Sequence, residues 1–362
     1  MNENASRRSM IKLAIAGLLA LAAAMGVGRF AATPLLPLMQ QSDGLSLAQG
    51  AWMATANYAG YLTGALLSFL AAPSAPRSAR WGLVAVLAST VAMALIKDVH
   101  GWDLLRFIAG LAGALVLVGV SDLALSILGA SRQAALTGVV FAGVGVGSVV
   151  VGLIALLAAI AGWDAHTAWW LLAAFVLAVT VHGWSTWSPL PAVSGSRSGS
   201  RSGLGSGPRS EPSGEPGGGA SRGSGNASST APVNADSKAV AVGDRAGLGR
   251  QAWTLILAYG VFGLGYIVPA TFLPAMARDR VDDPLVYGGL WPVFGLAAAI
   301  STVVTTWRFR AVAPQTLFVV SLAVMAVGVV VPVLQQSLAS LVISALAVGG
   351  TFMVATMAGL WR

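Results

Sequence analysis

A guanidinium buried in hydrocarbon is the most chemically pointed feature of this sequence. Arg29 lies within the apolar run GVGRFAATPLLPLM, Gly26–Met39. A charge inside a bilayer span costs about 2.5 to 3.5 kcal/mol even on the lenient insertion scale, so such a side chain must face protein or water. Either it packs against helix carbonyls or it recognises an anion. Arg106, in the run LLRFIAGLAGALVLVGV, poses the same choice, and there Asp103 could pair with it three residues away on one helix face. Asp122 is the one carboxylate well inside an apolar run, a position at which ionisable groups relay protons. Asn57, Tyr58 and Tyr61 place hydrogen-bonding groups on one segment, and Thr351 follows Gly349 and Gly350 on another. Each of these can equally serve packing or an interface.

The elements that must position them are membrane helices. Of 362 residues 56% are apolar and 9% charged, with a mean hydropathy of +0.77, whereas about a quarter of a soluble domain is charged. Cysteine is absent, which excludes disulfides, thiolate metal sites and cysteine nucleophiles. The net charge of +8 sits in short loops and one linker, where membrane topology accounts for it, so no nucleic-acid role is assigned. Ten apolar segments of about 20 residues begin near Ile11, Gly50, Trp81, Trp102, Ala134, Ala168, Trp253, Leu285, Gln315 and Leu338. A polar leader, residues 1–10, precedes the first span. The apolar run behind it continues to Met39, which favours a retained helix over a cleaved signal peptide. Six spans (11–190) and four spans (251–362) flank a Gly/Ser/Arg/Pro-rich stretch, 191–250. That stretch cannot bury enough surface to offset its chain entropy and is expected to be a disordered cytoplasmic linker.

Basic residues set the orientation. With a cytoplasmic N-terminus, Arg7, Arg8, Lys12, Arg77, Arg80, Arg132, Arg308, Arg310 and Arg362 lie inside, against Lys97, Arg278 and Arg280 outside. Most loop acids, Asp43, Asp98, Asp164, Asp279, Asp282 and Asp283, also fall outside. Both termini are expected in the cytoplasm of a bacterial inner membrane. At 1.5 Å per residue, Arg29 then lies about 13 Å from the outer end of the first span and Arg106 about 6 Å inside that of the fourth. Two cations at related depths point to an anionic solute. Asp122 falls about 24 Å further along the fourth span, towards the cytoplasm, where Arg77, Arg80 or Arg132 are the nearer partners.

The Arg29 segment occurs twice. Shifted by 237 positions, GVGRFAATPLLPLM overlies GLGYIVPATFLPAM, Gly263–Met276, without a gap. Gly26, Gly28, Leu36, Pro37 and Met39 meet Gly263, Gly265, Leu273, Pro274 and Met276, while Tyr266 takes the place of Arg29. Such a long-range repeat between hydrophobic halves predicts two similar bundles around a shared pathway, with charge on one side and a phenol on the other. Pro34, Pro37, Pro269 and Pro274 are read as kinks near the outer ends of the first and seventh spans. Gly138, Gly143, Gly145 and Gly147, in GVVFAGVGVGSVVVG, resemble a dinucleotide loop, but no strand precedes them. Small residues at this spacing instead form a helix-packing face.

Six spans, a basic linker and a second set opening on a copy of the first resemble the major facilitator superfamily. Within it, GVGRFAATPLLPLM followed by GAWMATANYAGYLTGALL is similar to the uncharacterised YbfB/YjiJ-type transporters. The resemblance implies an all-α membrane fold of two pseudo-symmetric bundles that rock about a central cavity, lined mainly by the first and fourth helices of each half. Two departures stand out. The loop after the second span, FLAAPSAPRSAR, keeps Arg77 and Arg80 but lacks the superfamily's aspartate. The chain also reaches Arg362 after ten spans where the superfamily has twelve, so it is read as truncated to six plus four.

The expected function is secondary transport of a small, anionic, organic solute, with Arg29, Arg106, Asn57, Tyr58, Tyr61, Tyr266 and Thr351 as solute-binding residues and lipid as the surroundings. The alternative is a non-transporting remnant or binding protein of the same family. An enzyme would need a nucleophile with a base, or a His/acid cluster, and the sequence offers none. His100, His166 and His182 lie in separate loops or a helix end, without ligand spacing, so no metal or cofactor is expected.

Overall fold

The computed structural model describes residues 3–129, 135–187, 250–281 and 283–360. The anticipated linker, apart from Arg250, lies outside them, as do Arg132, Asp282 and Arg362. The described secondary structure is helical throughout. The elements are α1 (Glu3–Leu21), α2 (Ala32–Asp43), α3 (Leu47–Ala71), α4 (Ala75–Leu95), α5 (Val99–Leu123), α6 (Ala135–Ala161), α7 (Ala165–Gly183), α8 (Arg250–Arg278), α9 (Pro284–Arg308), α10 (Pro314–Leu334) and α11 (Leu338–Leu360).

Between α1 and α2 the chain winds as a π-helix, Ala22–Phe30, and passes through Ala31. The local cause is Pro34. Its nitrogen has no hydrogen to give the Phe30 carbonyl, and its ring crowds that carbonyl. The ladder therefore lacks a bond at that point, while Ala31 still donates to the Val27 carbonyl at 3.4 Å and accepts from the Leu35 N–H at 3.3 Å. Wide π turns are uncommon and tend to mark functional segments; this one carries Arg29. No break accompanies Pro269 and Pro274, which lie within α8.

Nine helical spans among the described residues are long and apolar enough to cross a membrane. The tenth long helix, α3, is 25 residues but carries Gln49, Thr55, Asn57, Tyr58, Tyr61 and Thr63. Its reduced apolarity has a use, because these residues include the ones it turns towards its neighbours.

The acids that cluster at the Asp43 end have a local explanation. Asp98, Asp164 and Asp283 are the N-caps of α5, α7 and α9, each accepting a backbone N–H of its own first turn. Ser46 and Gln49 form a capping box at the start of α3. All these helices begin at one end of the antiparallel stack, so the capping residues gather there. Asp98, Asp164 and Asp283 at that end therefore reflect helix starts.

Glycines let the helices approach closely. A Cβ on Gly143 or Gly147 would overlap the carbonyl oxygen of Leu18 or Ala22 in the first span. On the other side of α6, a Cβ on Gly138 would overlap Thr306, and one on Gly145 would strike Ala299, both in α9. Helix α6 is thereby clamped between the first span and α9. A second seam, between α3 and α5, rests on Gly60, Gly64 and Gly110, facing Phe107, Leu111 and Asn57. Of these glycines, those of α6 carry a packing spacing that the sequence alone displays.

Candidate functional site

Arg29, in the last turn of the π stretch, is 8% exposed. Its Nη2 donates to the Tyr266 hydroxyl at 2.6 Å. Its Cζ lies 3.9 Å from the centroid of the Tyr61 ring, and 5.6, 5.6 and 5.9 Å from those of Phe30, Tyr58 and Tyr266. Its Nε has no hydrogen-bond partner among the described residues. No carboxylate pairs with it; the single ion pair among the described residues joins His166 to Asp43. Aromatic faces stabilise a desolvated guanidinium by up to about 2 kcal/mol each. A cage of four rings can therefore hold the cation without neutralising it.

The hydrogen bond to Tyr266 spans 237 positions, the same shift that superposes the two repeats. Positions that correspond in the two copies of the segment thus touch each other. Two further bonds join the halves nearer the Asp43 end. Tyr58 Oη lies 2.7 Å from Thr271 Oγ1, and Arg278 Nη1 donates to the Pro37 carbonyl at 3.0 Å.

Arg106 goes elsewhere. It is 0% exposed, donates from Nη1 to the Gly28 carbonyl at 3.4 Å and packs its guanidinium 4.9 Å from the Trp169 ring centroid. The pairing with Asp103 does not form; Asp103 Oδ1 has no hydrogen-bond partner. Arg106 therefore fastens the π stretch to α5 and α7, while Arg29 faces α3 and α8. Asn57 has a related task. Its Nδ2 donates to the carbonyls of Gly28 at 3.0 Å and Arg106 at 2.8 Å, tying three helices together. Asn57→Ala removes both bonds, and at about 1 kcal/mol each should destabilise the protein by about 1–3 kcal/mol in thermal unfolding in detergent.

Thr351 bonds back to the Ala347 carbonyl at 2.6 Å within α11. Asp122 is exposed and forms no ion pair among the described residues. Of the residues singled out from sequence, the structure brings Arg29, Tyr58, Tyr61 and Tyr266 into one cluster, sets Arg106 and Asn57 on the Gly28 carbonyl, and bonds Thr351 within its own helix.

A continuous aromatic array borders the cluster. Tyr266 stacks on Phe352 at 5.5 Å, Phe352 on Phe294 at 5.3 Å, and Phe294 on Trp291 at 5.0 Å. Phe30 meets Trp291 edge-on at 6.0 Å and Phe352 at 6.1 Å. These rings come from the first span, α8, α9 and α11, and no local pattern in the sequence links them.

Comparison with known proteins gives a consistent picture. The family described as "Uncharacterised MFS-type transporter YbfB" matches residues 21–203 and 230–362. An uncharacterised MFS-type transporter of Bacillus subtilis (strain 168), YceJ, is 34% identical over 97 residues, and that alignment spans 25% of this chain and 24% of the relative. Among solved structures, the nucleoside transporter NupG superposes with a TM-score of 0.56 at 13% identity, over 97% of this chain and 81% of that one. A D-xylose–proton symporter superposes with a TM-score of 0.57 at 10% identity, over 96% and 81%. At these identities the two structures bear on the fold alone, which is that of a major facilitator.

Proposed function

We propose the following for this chain, which belongs to the family of uncharacterised MFS-type transporters typified by YbfB: it moves a small organic anion across the bacterial inner membrane by alternating access, with Arg29 as the recognition charge. It is an integral membrane protein of the major facilitator type. The observation that carries the reading is a buried guanidinium bonded to its counterpart position in the other half and caged by rings, without a counter-charge and with Nε unpartnered among the described residues.

A carboxylate or phosphate arriving there would take Nε and an Nη as a two-pronged donor. Tyr266, whose oxygen already accepts from Arg29, still has its own hydrogen to give. The anion thereby meets donors from both halves. Burial keeps water away, so the attraction is stronger than at a surface. Closure at the Asp43 end is supplied by the bonds Tyr58–Thr271 and Arg278–Pro37. Rocking the two halves apart requires breaking them, and the solute's contacts to both halves would offset that loss.

The test is thermal unfolding of the purified protein in detergent against matched organic anions, cations and neutral solutes, followed by uptake into proteoliposomes. Particular anions should raise the melting temperature, and Tyr266→Phe should reduce the shift. Stabilisation by cations or neutral solutes alone would overturn the reading, and binding without uptake would make the chain a binding protein. Orientation is open to a separate check, because the natural chain has no cysteine. In whole cells, Lys97→Cys should react with an impermeant maleimide, and Arg310→Cys only after permeabilisation; both positions are exposed.

A further inference from the structure

The Asp43 end contains a titratable cluster remote from Arg29. His166, in the first turn of α7, has both ring nitrogens engaged. Nε2 lies 3.1 Å from Asp43 Oδ1, at the end of α2, and Nδ1 lies 3.1 Å from the Ala94 carbonyl, in the last turn of α4. The side chains of the pair are 14% and 13% exposed. Ser42 Oγ lies 2.7 Å from Asp43 Oδ2 and accepts the Ala165 N–H at 3.4 Å.

Proton counting follows from these partners. A carbonyl can only accept, so Nδ1 carries a hydrogen. A neutral imidazole then has a bare Nε2, whose lone pair would face a carboxylate oxygen, two acceptors in repulsive contact. The geometry is satisfied only with one more proton between them. Imidazole is the stronger base of the two, so the proton rests on His166 and the pair is imidazolium with carboxylate.

We propose that Asp43 and His166 form a proton-binding site that clasps α2 and α4 to the start of α7. Loss of the proton sets Nε2 against Asp43 and opens the clasp. Helix α2 also presents the Pro37 carbonyl to Arg278 across the two halves, so its end is the point at which proton release reaches the closure between them. The surrounding charges are few. Asp164, on the N-cap of α7, acts on His166, and Lys97, from the turn before α5, acts on Asp164. The Thr167 hydroxyl and N–H hold the Asp164 carboxyl below the usual carboxylate range, so it stays ionised and favours a cation nearby. Helix α5 contributes the uncharged Trp102 ring, 6.5 Å away, while Asp98 caps its own helix and His100 and Asp98 act on Asp103.

Nitrogen NMR of the protein labelled at its three histidines tests this without any variant. His100 and His182 are exposed and serve as references in the same spectrum. His166 should there show two protonated nitrogens, and Asp43→Asn should return it to the neutral form. A bare ring nitrogen on His166 would overturn the proposal. The measurement involves neither solute nor Arg29, so its failure and the failure of the anion reading are separate results.

Discussion

Arg29→Ala is expected to abolish the stabilisation of the protein by its anion while leaving the unliganded fold intact. Truncating one member of a buried charge pair costs about 2–5 kcal/mol of binding, which is roughly 30-fold or more in Kd. The effect on folding should have the opposite character. Arg29 has no carboxylate partner to leave stranded, and its removal ends the desolvation of an isolated cation. The melting temperature without solute should therefore stay level or rise. A purely structural arginine would give the reverse: a lower melting temperature with the anion response preserved in the surviving protein. Arg29→Lys sharpens the distinction. It restores the charge without the planar fork, so it should recover a small part of the affinity. Titration of the anion against all three proteins, read by melting temperature and by isothermal calorimetry, decides the matter.

Gly60→Leu should prevent the fold altogether. A Cβ at Gly60 would overlap the carbonyl oxygen of Phe107, and the obstacle is backbone, which has no rotamer to change. Gly64 and Gly110 face Leu111 and Asn57 backbone in the same seam, so α3 cannot retreat at one point without losing the others. Asn57 would move with it, and with Asn57 the hydrogen bonds to Gly28 and Arg106. Overpacking of a yielding core costs about 1–3 kcal/mol; here the cost should exceed that range. The expected result is a polydisperse or degraded product in size-exclusion chromatography. Gly350→Ala is the matched control, since a Cβ there meets nothing within 4 Å, and it should elute as the natural chain does.

Much of the fold was legible because membrane spans declare themselves by length and apolarity, and the repeat declares the relation between halves. The helix starts lie up to about two turns before the apolar runs, as at Glu3, Leu47 and Ala75, because capping and first-turn residues are polar. Facing was the illegible part. A helix that is apolar all round gives no periodic cue to which side meets lipid and which meets protein. Arg29 and Arg106 looked equivalent on that account, yet one turns to α3 and α8 and the other to Trp169. Asn57 was similarly readable as a polar group in a span, but not as the donor to two carbonyls on other helices. The π stretch had one signal, Pro34, which marks where a ladder must fail without saying how it widens beforehand. His166 and Asp43 stand 123 positions apart, and only the antiparallel stacking of helices makes them neighbours.

The contact between Arg29 and Tyr266 also constrains how such a site could arise. In an assembly of two identical subunits with strict two-fold symmetry, a residue on the axis meets its own copy. Two arginines there would press like charges together, and two tyrosines would supply no charge at all. A lone cation with a phenol opposite it is open only to a chain in which the two halves are separately encoded. A difference between the two copies at this one position is thus what permits a single charge between them. The same contact makes the exchange of the two residues, Arg29→Tyr with Tyr266→Arg, its natural counterpart, moving the charge to the opposite half.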